Sequence, residues 1–230
     1  NHPGIVRGLR SGQDKGRAYL VMEHIEGTTL RALLSGSTPL PLGICLAIGI
    51  QLCDVLAYLH GEGCQKPLSS TLHRDLKPSN IMLNAYGEVK VIDFGISSPI
   101  AGSFPSGQTS YGTPAYMAPE QIRDGELSSA TDIFSLGVIL FEMATGSRVF
   151  TERSAKKIIQ ERRIHSQKIP QLSSRFTGCK LLDRVIKRSL QPNPAQRYPS
   201  ALVLGRSLQM IKQYQGHEVN IAQWVMNAEA

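Results

Sequence analysis

Eight consecutive residues, His73-Arg74-Asp75-Leu76-Lys77-Pro78-Ser79-Asn80, and the downstream triplet Asp93-Phe94-Gly95 place a carboxylate, an ammonium and a carboxamide in one short stretch, with a second carboxylate close behind. Those residue types are the equipment for moving a phosphoryl group from a metal-bound nucleotide to a hydroxyl. Such a transfer needs charge neutralisation and in-line alignment more than covalent help. Asp75 is the candidate base that accepts, or at least orients, the acceptor hydroxyl. Lys77, two residues on, can balance charge on the travelling phosphoryl group. Asn80 and Asp93 offer hard oxygen ligands suited to Mg²⁺. Gly95 frees the backbone after Asp93, and Phe94 is an apolar plug able to hold Asp93 in or out. Taken singly, Asp75 reads as a turn cap, Asn80 as a hairpin-edge residue and Asp93 as an Asx-turn. Taken together, at these spacings, the phosphoryl-transfer reading prevails.

The flanking pattern supplies elements to hold these groups. Residues 18–23 form an apolar run of strand type, and Thr29 can cap a brief helix over Leu30–Leu34. Leu46, Ile50, Cys53 and Ala57 recur at helical spacing over 42–60, where Gly61 and Gly63 stop the helix. Two short apolar runs, 81–83 and 89–92, flank the turn-rich Asn84-Ala85-Tyr86-Gly87 and predict a hairpin. A long Gly-, Ser- and Pro-rich loop spans 95–114. A helix from Thr131 to Thr145, ended by Gly146, is apolar around most of its circumference, which predicts a buried central helix. Two or three further helices are expected over 154–213, and an amphipathic piece over 219–227 carries Trp224, expected to dock on the domain. Strands first and helices after predict an α+β fold with a mainly helical C-terminal body.

At 230 residues, with 41% hydrophobic and 19% charged residues, the chain reads as globular. The net charge of +7 is spread along the chain. Its densest cluster, Lys156, Lys157, Arg162, Arg163 and Lys168, reads either as a solvated helix face or as a docking patch for an acidic partner; nucleic acid is not expected. The four cysteines form no CxxC pair. Cys45 and Cys53, eight apart on one helix, are about 12 Å apart, too far to bridge, so reduced core thiols are expected. The longest apolar run is taken as Ile133–Phe141, interrupted by Ser135 and too short to span a bilayer. No signal peptide is recognised, and with Asn1 in first place the chain is not expected to begin where its gene does.

On these residues the chain resembles the protein kinases, and among them the bacterial serine/threonine kinases of the eukaryotic-like type. Gly112-Thr113-Pro114-Ala115-Tyr116-Met117-Ala118-Pro119-Glu120 resembles the segment closing the activation loop, while Asp132 and Arg197 match two further family positions. The resemblance implies a kinase-like fold: residues 1–25 a remnant of the β-rich small lobe and hinge, 26–215 the helical large lobe, and 216–230 a helical extension. It implies an ion pair between Glu120 and Arg197, and hydrogen bonds from the backbone around His73 and Arg74 to Asp132. It implies an ATP pocket in which Met22 guards the back, the backbones of Glu23 and Ile25 pair with the adenine edge, and Met82 forms the floor. Lys77 after Asp75, with Thr113 in Gly-Thr-Pro, resembles the Ser/Thr-directed branch.

The implied activity is transfer of the ATP γ-phosphoryl group to Ser/Thr hydroxyls of proteins, with Asp75 and Lys77 catalytic, and Asn80 and Asp93 holding Mg²⁺. A non-catalytic, pseudokinase-like interaction module is the alternative. Protein substrates are the expected partners, without membrane contact by these residues; a homodimer for autophosphorylation is compatible with the pattern. A cytoplasmic location is expected, with any membrane anchor lying elsewhere. Phosphorylation near Thr109-Ser110, read by Arg74, is a further expectation.

The resemblance also implies a glycine-rich loop, a strand lysine and a helix glutamate upstream of His2-Pro3-Gly4-Ile5-Val6. These 230 residues do not supply them: Gly12 and Gly16 form no G-x-G-x-x-G, and Lys15 belongs to a surface turn. Poor Mg-ATP binding and slow transfer are therefore expected of the residues as they stand. The stretch between His60 and His73 reads as a surface insertion, and Gly8 stands where the family tends to place an apolar side chain.

Overall fold

The computed structural model describes residues 2–62, 71–93, 114–123, 125–150, 179–216 and 219–229. The expectations for Phe94 and Gly95, for Ser103, Ser106, Thr109, Ser110 and Thr113, for the 63–70 insertion with Cys64, and for the Lys156–Lys168 cluster lie outside the described residues. Strand β1 (Gly8–Asp14) folds back antiparallel on β2 (Arg17–Met22). The link is Lys15-Gly16, both at positive φ (48° and 78°), and Lys15 is exposed there as the sequence predicts. A second sheet runs β3 (Gly27–Thr29), β4 (Ile81–Asn84), β5 (Val89–Val91), antiparallel throughout, and the N-terminal segment joins β5 through Val6 N–H to the Val91 carbonyl at 3.0 Å. Helix α1 (Leu30–Leu33) begins where the Thr29 hydroxyl accepts the Ala32 N–H, so the expected cap is present.

The core is helical. It is built from α2 (Leu42–Leu59), the short α3 (Pro119–Ile122), α4 (Ser129–Thr145), α5 (Lys180–Ser189) and α6 (Ala201–Gln215), with α7 (Ile221–Glu229) added behind. Between α2 and β4 a single 3₁₀ turn covers Pro78–Asn80. Gly49 shows why α2, α4 and α6 come so close. A β-carbon there would sit 2.9 Å from Leu140 Cδ2 and 3.0 Å from Leu208 Cδ1, so a larger residue would push the three helices apart.

Two sequence expectations are adjusted. Helix α4 starts at Ser129 rather than Thr131, because Ser128 is the cap and the Thr131 hydroxyl accepts its N–H at 3.2 Å. Its end at Gly146 (φ 62°) is as expected. The longest apolar element is not Ile133–Phe141 but α2, whose 18 residues have mean hydropathy 2.0 and are long and apolar enough to cross a membrane. Gln51 and Asp54 break that run in the sequence, and 72% of the helix is buried in the fold, which is what a core helix of this composition requires.

Candidate active site

Asp75, Lys77 and Asn80 meet as the spacing predicts. Lys77 Nζ lies 2.6 Å from Asp75 Oδ2, and Asn80 Nδ2 donates to the Asp75 carbonyl at 3.0 Å and approaches its Oδ2 at 3.4 Å. Leu76 and Pro78 point into the core, and Pro78 starts the 3₁₀ turn in which the Asn80 N–H reaches the Lys77 carbonyl. Buried apolar residues therefore alternate with polar ones and anchor the loop. Asp75 and Lys77 keep 30% and 19% of their side chains exposed, so this edge of the cluster stays open.

The loop is also strained. Arg74 has φ 65° and Asp93 φ 55°, a region that costs a non-glycine residue of order 1–3 kcal/mol. Arg74 is held there from both sides. Its N–H donates to Asp132 Oδ1 at 2.8 Å, and its carbonyl accepts from Gln121 Nε2 at 2.7 Å. Asp132 lies in the first turn of α4, where the helix dipole favours a carboxylate, and also accepts the His73 N–H at 2.9 Å. The Ile92 N–H donates to the Asn80 carbonyl at 2.9 Å, which brings the start of Asp93 beside the loop. The Asp93 side chain is exposed and makes no hydrogen bond or ion pair among the described residues.

Sequence reasoning passed over the groups behind Asp132. His60 closes α2 and bridges Asp132 Oδ2 (Nε2, 2.8 Å) and Glu62 Oε1 (Nδ1, 3.4 Å). The Glu62 carboxylate in turn accepts the N–H groups of Ala201 and Leu202 at 2.9 Å each, so it caps α6. Burial opposes the imidazolium of His60, but its hydrogen bond and proximity to Asp132, then Glu62, outweigh this and raise its pKa. His73 is the opposite case: burial lowers its pKa and keeps the ring neutral. The raised His60 pKa stabilises the fold fully below the ordinary histidine range, and that contribution is lost as pH rises through the raised value. His60→Gln is therefore expected to cost stability at pH 5–6, with the gap to wild type narrowing as pH rises. Parallel urea titrations across pH check this, and a gap that widens with pH would refute it.

A second buried network links the segment after Thr113 to the helices. Glu142 of α4 takes Arg31 Nη1 at 2.8 Å and the Tyr116 hydroxyl at 2.5 Å, and Arg31 also reaches that hydroxyl. Burial first, then the hydrogen bond to Glu142 and its charge, pushes the Tyr116 phenol well up. An acid amid the apolar run of α4 was the sequence signal for a buried cation; Glu62 carried no such signal. Glu120 and Arg197 pair as expected, Nη1 to Oε1 at 2.6 Å and Nη2 to Oε2 at 2.8 Å.

On the other side of the loop, Met22 ends β2 half-buried, and Met82 is half-buried on β4 opposite Thr29 and Lys90. The Glu23 N–H donates to the Arg7 carbonyl at 2.9 Å. The Glu23 carboxylate accepts the Arg7 N–H at 3.0 Å and sits 3.6 Å from Lys90 Nζ. The Arg7 hydrogen bond, helped by Lys90 against some desolvation, lowers its pKa. The Glu23 carbonyl and Ile25 N–H, by contrast, have no hydrogen bond among the described residues. Cys45 and Cys53 are buried, and burial raises both thiol pKa values, that of Cys45 to about 12. Both are inert core groups.

A sequence profile described as the protein kinase domain matches residues 1–208. The chain is 36% identical over 208 residues to the serine/threonine-protein kinase PknB of Mycobacterium leprae (strain TN), covering 87% of this chain and 32% of that protein. It is 35% identical over 213 residues to the serine/threonine-protein kinase PknL of Mycobacterium tuberculosis (strain H37Rv), covering 92% of this chain and 51% of the relative. The chain thus spans about a third of the length of the first of these curated relatives and about half of the second.

Proposed function

This chain belongs to the protein kinase family, and from that premise we propose that it transfers the γ-phosphoryl group of ATP to serine and threonine hydroxyls of proteins. The observation that carries this reading is the Asp75–Lys77–Asn80 cluster, closed by hydrogen bonds and held on a strained backbone by Asp132. A non-catalytic interaction module has no chemical need for that cluster, and its relatives by name are serine/threonine kinases.

In this reading the Asp75 carboxylate orients the acceptor hydroxyl and takes its proton as the new O–P bond forms. Lys77, now 2.6 Å from Asp75, is placed to swing its ammonium onto the phosphoryl oxygens. The donor set fits a hard divalent cation. Asn80 spends its N–H on Asp75, and its carboxamide oxygen, met only by the Ser79 hydroxyl at 3.5 Å among the described residues, keeps room for a ligand role, while the Asp93 carboxylate is uncommitted among the described residues. Bound Mg²⁺ supplies charge neutralisation to the triphosphate, and Asn80 and Asp93 would hold it. The unpaired Glu23 carbonyl and Ile25 N–H suit an adenine edge, between Met22 behind and Met82 beneath. The division into 1–25, 26–215 and 216–230, a cytoplasmic setting and a homodimer for autophosphorylation belong to the same proposal.

The test is a transfer assay on the whole protein with Mg-ATP and a general protein acceptor, followed by acid hydrolysis and identification of the labelled residue. Label on phosphoserine and phosphothreonine supports the reading. Nucleotide binding without transfer would support the interaction module instead. Asp93→Asn is expected to raise the Mg²⁺ needed for half-maximal labelling by about tenfold, one lost carboxylate ligand. An unchanged Mg²⁺ requirement would remove Asp93 from the metal site.

A further inference from the structure

Helix α7 falls outside the residues matched by the kinase profile, yet it is packed against the hairpin that carries Met82 and leads to Asp93. Ile221 and Val225 belong to the buried core, and Trp224, the only tryptophan in the sequence, packs partly buried against it. Asn220 caps the helix by accepting the Gln223 N–H at 3.1 Å. The point of contact is Gly87, at φ 77° in the β4–β5 turn. A β-carbon there would lie 2.7 Å from the Ala222 nitrogen and 2.8 Å from Ile221 Cβ. The backbones of turn and helix therefore touch with no side chain between them, and only glycine fits both the φ and the space.

The turn is gripped from its other side by Gln51 of α2, which donates to the Gly87 carbonyl at 3.1 Å and accepts the Val89 N–H at 2.9 Å. It is stiff within itself, since Asn84 Oδ1 accepts the N–H groups of Tyr86 and Glu88. A stiff turn moves as a unit and carries β4 and β5 with it. Met82 and Lys90 pair within those strands, and Ile92 ties their base to Asn80. Beside the contact an open cleft of about 670 Å³ is lined by Tyr86, Gly87, Lys212, Val219, Asn220 and Ile221, so the seam is close at Gly87 but narrow and flanked by solvent. A short helix on a narrow seam is the kind of unit that opens before the rest of a domain.

We propose that α7 is a clamp on the hairpin, with Ile221 as its positioning residue, and that docking of α7 and binding of nucleotide over Met82 favour each other. The proposal rests on the kinase reading of the Met82–Asp93 hairpin. By linkage, nucleotide must tighten α7 by the same factor by which α7 tightens nucleotide.

In the first measurement Mg-ADP is titrated into the whole protein while the emission of Trp224, taken against a Trp224→Phe variant, and calorimetric heat are followed in parallel, with hydrogen exchange of the α7 amides at the end point. A Trp224 shift with the calorimetric midpoint, and α7 exchange slowed about fivefold, is expected. Calorimetric binding with flat Trp224 emission and unchanged α7 exchange overturns the clamp. No calorimetric binding at all would remove the nucleotide reading, and this coupling with it. In the second measurement Ile221→Asp weakens Mg-ADP binding about fivefold and speeds exchange at Leu83 and Val89, while Ile221→Val restores both. Should Ile221→Asp not fold, Gly87→Ala strains the same contact from the hairpin side and must weaken Mg-ADP binding likewise. An unchanged Kd in the folded variant overturns the proposal.

Discussion

Asp75→Asn is expected to lower phosphoryl transfer by about 10²–10⁴-fold, the range for loss of a positioned general base, with the Kd for Mg-ATP little changed. The substitution is nearly isosteric, so the carboxamide oxygen still accepts from Lys77 at the place now separated by 2.6 Å, and the Asn80 bond to the residue 75 carbonyl is untouched. What disappears is the negative charge that, in the proposed reaction, holds the acceptor hydroxyl and receives its proton. Steady-state transfer and calorimetric binding, measured on the same preparation of the whole protein, separate the two. A transfer rate within tenfold of wild type would take Asp75 out of the chemistry. A large rise in Kd at constant turnover would make it a nucleotide-binding group instead.

The largest effect on stability is expected at Arg197, whose guanidinium is fully buried and uses all its donors. Besides the two bonds to Glu120, Nε donates to the Gln191 carbonyl at 2.7 Å, Nη1 to Ala130 at 2.8 Å and Nη2 to Pro192 at 3.1 Å, and the group stacks over Phe134 at 4.9 Å. Removing it leaves the Glu120 carboxylate buried without its cation, with only the Thr131 hydroxyl at 3.0 Å to compensate among the described residues. Arg197→Met should cost about 3–5 kcal/mol, a large share of the roughly 5–15 kcal/mol that holds a domain folded. Arg197→Lys keeps the charge but not the planar fork, and is expected to recover only part of the loss. Glu120→Gln combined with Arg197→Met should cost less than the sum of the two, because the stranded charge is gone. Urea unfolding of the wild type, the three single variants and the double variant checks this; a loss under about 1 kcal/mol for Arg197→Met would mean that the pair is not a structural keystone.

Much of this was legible in the residues because the candidate site groups are local. Asp75, Lys77 and Asn80 lie within six residues and share one loop, so their meeting needed no knowledge of the tertiary fold. The hairpin, the cap at Thr29 and the stop at Gly146 were legible for the same reason, since turn and cap chemistry is written in neighbouring residues. The supports of the loop were not. His60, Glu62, Gln121 and Arg31 act across separations of 47 to 140 residues, and each is an ordinary polar residue in its own segment. The apolar character of α2 was hidden for another reason: Gln51 and Asp54 interrupt a run that becomes continuous only when wound into a helix, and Gln51 proves to be the grip on the hairpin turn.

The cap that Glu62 places on α6 has a consequence for how the protein is made. The carboxylate and the N–H groups it accepts are 139 and 140 residues apart. Ribosomes add about 5–20 residues per second, so α2, with its mean hydropathy of 2.0, leaves the exit tunnel on the order of ten seconds before the helix that covers it. During that interval α2 can pack only on the hairpin turn and on α4, its α6 side lies uncovered, and α6, when it arrives, has only the Ser200 hydroxyl on its first turn until it finds Glu62. The nascent chain is thus a natural client for holding chaperones, and ribosome stalling just before Ala201 should leave the α6 side of α2 open to protease and chaperone alike.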